Sequence, residues 1–232
     1  MPPVPLEGRY TANVESLESY IGRLTATCNQ PIGTFLTMLD ELGGARPSLN
    51  SFSRSGCNGP GSVSERRAHV LSRLTGQDLK TGTMWPLAQL LCHAGSGLNR
   101  VMRSWCPECL LDGDSFNTPN DRLIWNFENL SRCVVHNVDI VRCCIQCGSE
   151  QGYGRPGGLR LHCALCNTSL GFKGNASEQS HALAWCDSIL EDLVSWMSSD
   201  DAFIVPASGY VQYITDIKQG AQADLLRKRC PS

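Results

Sequence analysis

The sequence predicts a mainly α protein with small β ribbons, in which an N-terminal helix-turn-helix domain precedes two metal-binding fingers and C-terminal helices. Two observations lead to this fold class. Apolar residues recur at helical spacing near both ends of the chain, and the middle carries four closely spaced pairs of cysteine or histidine. The chain is therefore divided into an arm with the helix-turn-helix domain (1–103), tandem fingers (104–175) and a C-terminal helical segment (176–232).

The first segment begins with an arm and continues in short helices. Three prolines within residues 1–13 disfavour a helix, so we expect this arm to be extended. Apolar residues at helical spacing predict one helix over residues 15–28. A second helix is predicted to begin at Pro31, which suits a first helical turn, and to end at Gly43.

The rest of this segment predicts a loop and further helices. Residues 46–61 are rich in Ser, Gly, Asn and Pro, which is typical of a loop. Ser62 and Glu65 have the spacing of a capping box and predict a helix that ends at Gly76. Two shorter helices are predicted within residues 78–92. This pattern fits a helix-turn-helix domain, and it fits equally a small helical bundle without a role in DNA binding.

The C-terminal segment predicts two helices. Residues 179–198 place apolar side chains on one side, with Trp185 and Trp196 among them. We expect this side to pack against the protein rather than to form a groove for a partner. A second helix is predicted over about residues 208–218.

The central region carries the residues with the clearest chemistry. Cysteine thiolates and histidine imidazoles are the ligands of structural zinc, and eight of them suffice for two tetrahedral sites. The first set has the spacing C-x2-C-x23-C-x2-H, and the second has C-x2-C-x15-C-x2-C, which is typical of a four-cysteine zinc ribbon. The two sets are Cys106, Cys109, Cys133 and His136, followed by Cys144, Cys147, Cys163 and Cys166.

Details of the spacing refine both sites. Cys144 is preferred over Cys143 because only Cys144 forms a C-x-x-C pair with Cys147. Gly148 follows that pair, where a left-handed backbone is useful. Residues 120–127 are predicted to form a helix that fills the long interval of the first site. Two structural Zn²⁺ ions are therefore expected, each with four protein ligands and no position open for a catalytic water.

The composition limits the class of protein. Of 232 residues, 41% are hydrophobic and 18% are charged, which is typical of a folded chain. The net charge of −2 argues against a protein that coats nucleic acid by charge alone. The start lacks the pattern of a signal peptide, so thirteen cysteines indicate metal ligands rather than disulfides. No apolar run approaches the roughly 20 residues of a membrane span, and no membrane contact is expected.

Motifs of common enzymes are absent from the sequence. It contains no phosphate-binding loop, zinc-protease motif, deaminase signature or hydrolase nucleophile elbow. We therefore expect no enzyme activity, and a zinc-dependent enzyme is the weakest of three hypotheses.

A basic stretch precedes the first pair of ligands. Residues 51–103 contain seven basic residues and only two acidic ones. Phosphate groups attract such clusters, so five arginines are candidate contacts to nucleic acid. They are Arg66, Arg67, Arg73, Arg100 and Arg103.

Six stretches follow one another in an order that is specific, although each is modest alone. They are residues 15–24 (ESLESYIGRL), 74–76 (LTG), 105–110 (WCPECL), 122–125 (RLIW), 133–138 (CVVHNV) and 142–148 (RCCIQCG). Together they resemble the TniQ family of transposition proteins. In the last of these stretches, Ile145 stands where the family usually has proline.

The resemblance implies an adaptor in DNA transposition. Members of the family connect a target-site recogniser to an AAA+ ATPase regulator, and in some transposons the recogniser is an RNA-guided CRISPR effector complex with its guide RNA. We expect the N-terminal arm and the face of the helix-turn-helix domain to contact the ATPase, which makes Pro5, Arg9 and Tyr10 candidate partner-binding residues. The short stretch after the second finger favours an adaptor over a sequence-specific DNA reader.

The alternative is a transcription regulator in which the zinc ribbon and helix-turn-helix bind DNA directly. We expect a protein of the bacterial cytoplasm, associated with the nucleoid, and the sequence leaves open whether it forms a homodimer.

Overall fold

The computed structural model describes residues 4–45, 57–87, 99–112, 120–153 and 161–199. These ranges contain helices and very little β structure. Four antiparallel bridges connect single residue pairs within the metal-binding region, and the described residues contain no longer strand. The α-helices are α1 (Leu17–Thr27), α2 (Ile32–Leu42), α3 (Ser62–Thr75), α4 (Pro107–Asp112) and α5 (His181–Met197), with 3₁₀ helices at Lys80–Gly82, Trp85–Leu87 and Leu123–Asn126.

Four of the predicted helices are confirmed within a few residues. α1 begins after Ser16, whose side chain accepts a hydrogen bond from the Ser19 N–H, so a free donor of the first turn is satisfied. α2 begins after Pro31 and ends at Gly43. α5 lies within the predicted range and starts after Ser180, which caps it in the same way.

The start of α3 corrects the predicted capping box. Gly61 is the capping residue, Ser62 is the first helical residue, and no side chain caps the helix. The Ser64 hydroxyl instead donates to the Gly61 carbonyl at 2.6 Å. The predicted end is confirmed, because Gly76 has φ 73°, a left-handed conformation that glycine adopts without strain.

Two other predictions of local structure were wrong. The arm is not extended, because residues 7–13 form consecutive turns and the Glu15 N–H donates to the Glu7 carbonyl at 2.9 Å. The predicted helix over residues 120–127 is a short 3₁₀ helix. The predicted helix at 208–218, most of the one at 86–92 and most of the loop at 46–61 lie outside the described residues.

A single hydrophobic core runs through the described residues. α2 packs against both α1 and α3. The core includes Leu39 of α2, Trp105 and Trp125 of the metal-binding region, and Leu193 of α5. Burial of such large apolar side chains is the main favourable contribution to folding. The metal-binding region is therefore packed against the N-terminal helices.

Backbone hydrogen bonds join the first two predicted segments. The Leu123 N–H donates to the Val14 carbonyl at 2.8 Å, and the Ser16 N–H donates to the Asp121 carbonyl at 2.9 Å. Both bonds cross the boundary predicted at residue 103. The division of the chain into three segments stays a prediction.

The C-terminal helix is held to the metal-binding region by Asp187. Its buried carboxylate accepts hydrogen bonds from the Ser131 N–H and hydroxyl, each at 2.8 Å, and from Gln179 Nε2 at 2.6 Å. At the other end of α5, the Ser198 hydroxyl donates to the Thr11 carbonyl at 3.2 Å. None of the helices in the described part of the chain has the length and apolar character needed to cross a bilayer.

Candidate metal centres

The structure gathers the eight predicted ligands into two separate clusters. Within each cluster the ligand atoms lie within 4.8 Å of one another, close enough to hold one metal ion. The second cluster contains Cys144 and leaves out Cys143. Either cluster could therefore hold a zinc ion.

The first cluster has the dimensions of a zinc tetrahedron. With Zn–S of about 2.3 Å and Zn–N of about 2.0–2.1 Å, the edges of such a tetrahedron measure about 3.5–3.8 Å. Cys109 Sγ lies 3.6 Å from Cys133 Sγ and 3.2 Å from His136 Nδ1. Cys106 Sγ and Cys133 Sγ lie 3.6 Å and 3.8 Å from the same nitrogen. The residues present fit a bound zinc ion.

The imidazole of His136 is oriented by a carboxylate. Its Nε2 lies 2.7 Å from Asp112 Oδ2, at the end of α4. A proton on Nε2 leaves the Nδ1 lone pair directed at the three sulfurs. Carboxylates commonly hold metal-binding histidines in this way, which fixes the tautomer and raises the basicity of the ligating nitrogen.

The second cluster is built from four thiols and is more open. Cys144 Sγ lies 3.6 Å from Cys166 Sγ, and Cys147 Sγ lies 3.6 Å from Cys163 Sγ. These distances also match tetrahedral edges. Cys144 and Cys163 are buried, whereas Cys147 and Cys166 are exposed.

Three of the four ligand pairs adopt one backbone geometry. In each, the residue after the second ligand is left-handed: Asn137 at φ 54°, Gly148 at φ 69° and Asn167 at φ 58°. Its N–H donates to the carbonyl of the first ligand of the pair, at 2.8–3.0 Å. Glycine and asparagine tolerate this conformation best. This tight turn directs both ligand atoms of a pair toward one point.

The fourth ligand pair lies at the start of a helix. Cys106 precedes α4, and Pro107 occupies its first position, where a missing N–H costs nothing. The Cys106 carbonyl accepts from the Leu110 N–H at 3.2 Å. The helical turn brings Cys109 back beside Cys106.

The shared turn geometry leads to a prediction for position 148. Gly148→Asn is expected to change stability by less than about 0.5 kcal/mol, because asparagine occupies the same position in two other pairs and a Cβ there meets no atom within 4 Å. Gly148→Val is expected to cost about 1–2 kcal/mol, the penalty of a left-handed backbone for an ordinary side chain. Urea denaturation of the two variants measures the difference; equal stabilities would contradict the assigned role of φ.

Hydrogen bonds favour the thiolate form of Cys133 in the first cluster and of both Cys163 and Cys166 in the second. Bonds from the Cys106 and Cys109 thiols lower the pKa of Cys133 far below its ordinary value. Burial raises the pKa of Cys163, but hydrogen bonds from the backbone of Cys166 and from the Ser149 hydroxyl prevail and lower it to about 5. Thiolates are the form that binds zinc.

Three of the five arginines predicted to contact nucleic acid are buried. Arg67 donates to both carboxylate oxygens of Asp40 at 2.9 and 2.7 Å, and Arg103 does the same with Asp121 at 2.6 and 2.7 Å. Arg100 donates to three backbone carbonyls, including that of Phe127 at 2.7 Å, and burial lowers its pKa to about 9. These three side chains are too little exposed to contact a phosphate.

The remaining two arginines lie on α3. Arg73 is exposed, and the Arg66 side chain is 28% exposed with its Nη2 3.9 Å from Asp40. They are seven positions apart, so they lie on one face of the helix, with the exposed His69 between them.

The three predicted partner-binding residues lie in the N-terminal turns. Pro5 is exposed, and its carbonyl accepts from the guanidinium of Arg23 at 2.7 Å. Arg9 lies over the ring of Tyr10, 5.0 Å from its centroid. Tyr10 is 52% exposed and has φ 64°. An exposed aromatic residue in a left-handed conformation is unusual, and such strain is found most often at functional positions.

Three polar residues that contact the clusters were not predicted from the sequence. Asp112 orients His136, while Ser149 and Gln151 contact sulfurs of the second cluster. Asp112 lies one helical turn after Cys109, a spacing that offered a signal for it. Ser149 and Gln151 follow a C-x-x-C pair directly, but no sequence pattern distinguishes them from ordinary turn residues.

The structure is that of a mainly helical protein with two four-ligand clusters, each of which could hold a metal ion. The model of the TniQ family matches residues 10–140, more than half of the chain, and the chain belongs to this family. It is thus a transposition-associated protein. The match includes the first cluster and ends before Cys144. Among curated protein sequences, none matches this chain significantly.

Proposed function

We propose that this chain is a non-enzymatic adaptor in DNA transposition that links a target-site recogniser to an AAA+ ATPase regulator. Membership of the TniQ family is the observation that carries the proposal. An RNA-guided CRISPR effector complex is one candidate recogniser. The proposed place of action is the nucleoid in the bacterial cytoplasm, where target DNA lies.

Zinc is the metal proposed for both clusters. Tetrahedral sets of thiolates with at most one imidazole favour Zn²⁺ over magnesium or calcium, which prefer oxygen ligands. Zinc would bind to Cys106, Cys109, Cys133 and His136, and to the four cysteines of the second cluster. When bound, it supplies folding free energy through four protein ligands. That closed coordination supports a structural and non-enzymatic role.

The N-terminal turns are the proposed contact to the ATPase. Tyr10 and Arg9 form a stacked pair at the surface, and tyrosine and arginine are the residues enriched at the energetic centres of protein interfaces. The turns are anchored beneath this pair. Glu15 is fully buried and pairs with the guanidinium of Arg23, which also holds the Pro5 carbonyl. The surface is therefore presented by a fixed backbone, which reduces the entropy lost on binding.

The alternative function, a DNA-binding transcription regulator, is supported less well than the adaptor. Arg66 and Arg73 share one face of α3 and could contact phosphates. The burial of Arg67, Arg100 and Arg103 removes most of the basic patch that such binding needs.

A binding experiment separates the two functions. The purified chain is titrated with an AAA+ ATPase encoded by the same transposon and, separately, with labelled duplex DNA over a series of salt concentrations. The adaptor proposal expects saturable binding to the ATPase and weak binding to DNA. Tight DNA binding that falls steeply with salt, without binding to the ATPase, would favour the regulator.

Replacing Pro5, Arg9 and Tyr10 together by alanine is expected to weaken ATPase binding about tenfold or more. The matched control is Leu42→Ala, which truncates another exposed apolar side chain at the end of α2. Calorimetric titration of both variants gives the comparison. Unchanged affinity in the triple variant would reject this surface, whereas no binding by the unaltered chain would reject the adaptor.

A further inference from the structure

Gln151 is a fully buried polar residue that belongs to neither cluster. Its Oε1 accepts a hydrogen bond from the Ala164 N–H at 3.0 Å. A backbone N–H can only donate, so the orientation of the side-chain amide is fixed. Its Nε2 therefore faces the second cluster, 3.4 Å from Cys163 Sγ.

A second contact extends from Gln151 through Ser149. The Gln151 Nε2 lies 3.0 Å from the Ser149 carbonyl and 3.0 Å from the Ser149 Oγ. That oxygen is in turn 3.2 Å from Cys147 Sγ and 3.3 Å from Cys163 Sγ. Since the amide donates to the hydroxyl oxygen, the hydroxyl proton is free to point at a sulfur. Gln151 thus supplies one direct and one relayed hydrogen bond to ligands from two different pairs.

The backbone of Gln151 is bound to the helical core. The Arg103 N–H donates to the Gln151 carbonyl at 2.9 Å. The guanidinium of Arg103 binds both carboxylate oxygens of Asp121, whose N–H donates to the Ser19 hydroxyl of α1 at 3.0 Å. Gln151 is therefore bonded both to a sulfur of the open second cluster and to the network that reaches α1.

We propose that Gln151 is a positioning residue for the second metal centre. Its amide orients the Cys163 sulfur toward the metal, and its backbone fixes that centre against the N-terminal core through Arg103. The inference rests on the assignment of zinc to this cluster. Hydrogen bonds to thiolate ligands hold them in place and stabilise their charge, and the loss of such an outer contact typically weakens metal binding about 10–100-fold.

Gln151→Glu tests the role of the amide. Glutamate has the same size and keeps an acceptor for the Ala164 N–H, but it removes the N–H donors and brings a negative charge to the thiolates. The matched control is Gln146→Glu, the same substitution at an exposed glutamine between Cys144 and Cys147. The Q151E variant is expected to bind Zn²⁺ about 10–100-fold more weakly at the second centre, with the first centre and Q146E unchanged.

Competition with a chromogenic zinc chelator on the full chain measures the affinity of each centre. Spectra of the Co²⁺-substituted protein distinguish a four-thiolate site from one with three thiolates and an imidazole, so the weakened centre is identified. If Q151E does not fold, Gln151→Met, which lacks both donors and charge, is used and the same selective loss is expected. Equal affinity of Q151E and Q146E, or lower thermal stability without selective metal loss, would overturn the proposal. Failure of the unaltered chain to bind a second zinc ion would instead overturn the zinc assignment.

Discussion

Cys109→Ser is expected to release the metal of the first centre and to unfold most of the chain. Cys109 Sγ is 3.2 Å from His136 Nδ1 and 3.6 Å from Cys133 Sγ, so its loss opens one corner of the tetrahedron. Structural zinc sites contribute about 10–16 kcal/mol of apparent binding free energy, which matches or exceeds the whole stability of about 5–15 kcal/mol of a typical domain. Cys109 and its neighbour Leu110 belong to the hydrophobic core shared with the N-terminal helices. The damage is therefore expected to spread beyond the finger.

Circular dichroism on heating and zinc analysis by mass spectrometry measure this effect. The matched control is Cys28→Ser, at a partly buried cysteine that ends α1 and belongs to neither cluster. Its midpoint of unfolding is expected to stay within a few degrees of the unaltered chain, with the metal content unchanged. A Cys109→Ser protein that keeps both zinc ions and its midpoint would show that the first cluster does not stabilise the fold.

Arg67→Ala is expected to cost about 3–5 kcal/mol of folding free energy. Arg67 is 1% exposed and binds both oxygens of Asp40, while its Nη1 contacts Cys57 Sγ at 3.1 Å. Removing the guanidinium leaves the Asp40 carboxylate, itself 2% exposed, without its main partner in a medium of low dielectric. The pair also joins α2 to α3, so its loss loosens the packing of the N-terminal helices.

The exposed Arg73 on the same helix provides the matched control. Arg73→Ala is expected to change stability by less than about 0.5 kcal/mol, as is usual for surface positions. Urea unfolding of both variants gives the two free energies. Similar values for the two would contradict a structural role for Arg67 and return it to the candidates for nucleic-acid binding.

The metal ligands could be identified from the sequence because the two ligands of each pair are close together in the chain. A C-x-x-C or C-x-x-H pair forms its turn within its own few residues. The glycine at position 148 also predicted the left-handed conformation after one such pair. The grouping into two sets needed only chain order and two loop lengths. The orienting side chain of Asp112 was missed because its role depends on where α4 ends relative to His136, which is a tertiary relation.

The roles of the arginines could not be read from sequence. A basic residue near other basic residues looks the same whether it faces solvent or a buried carboxylate. Arg67 and Asp40 are 27 positions apart, and Arg103 and Asp121 are 18 apart, so no helical spacing links them. Likewise, Ser62 and Glu65 satisfied the capping-box pattern, yet the helix begins one residue earlier than a serine cap at position 62 requires.

Native mass spectrometry of the full chain tests the central claim most directly, namely that two closed metal centres stabilise a transposition adaptor. Spectra recorded under non-denaturing conditions are expected to show two Zn²⁺ ions on every folded chain. Addition of a strong chelator should remove both ions and shift the charge-state distribution to that of an unfolded protein. A folded chain that carries no zinc, or that keeps its compact charge states after both ions are removed, would contradict the account.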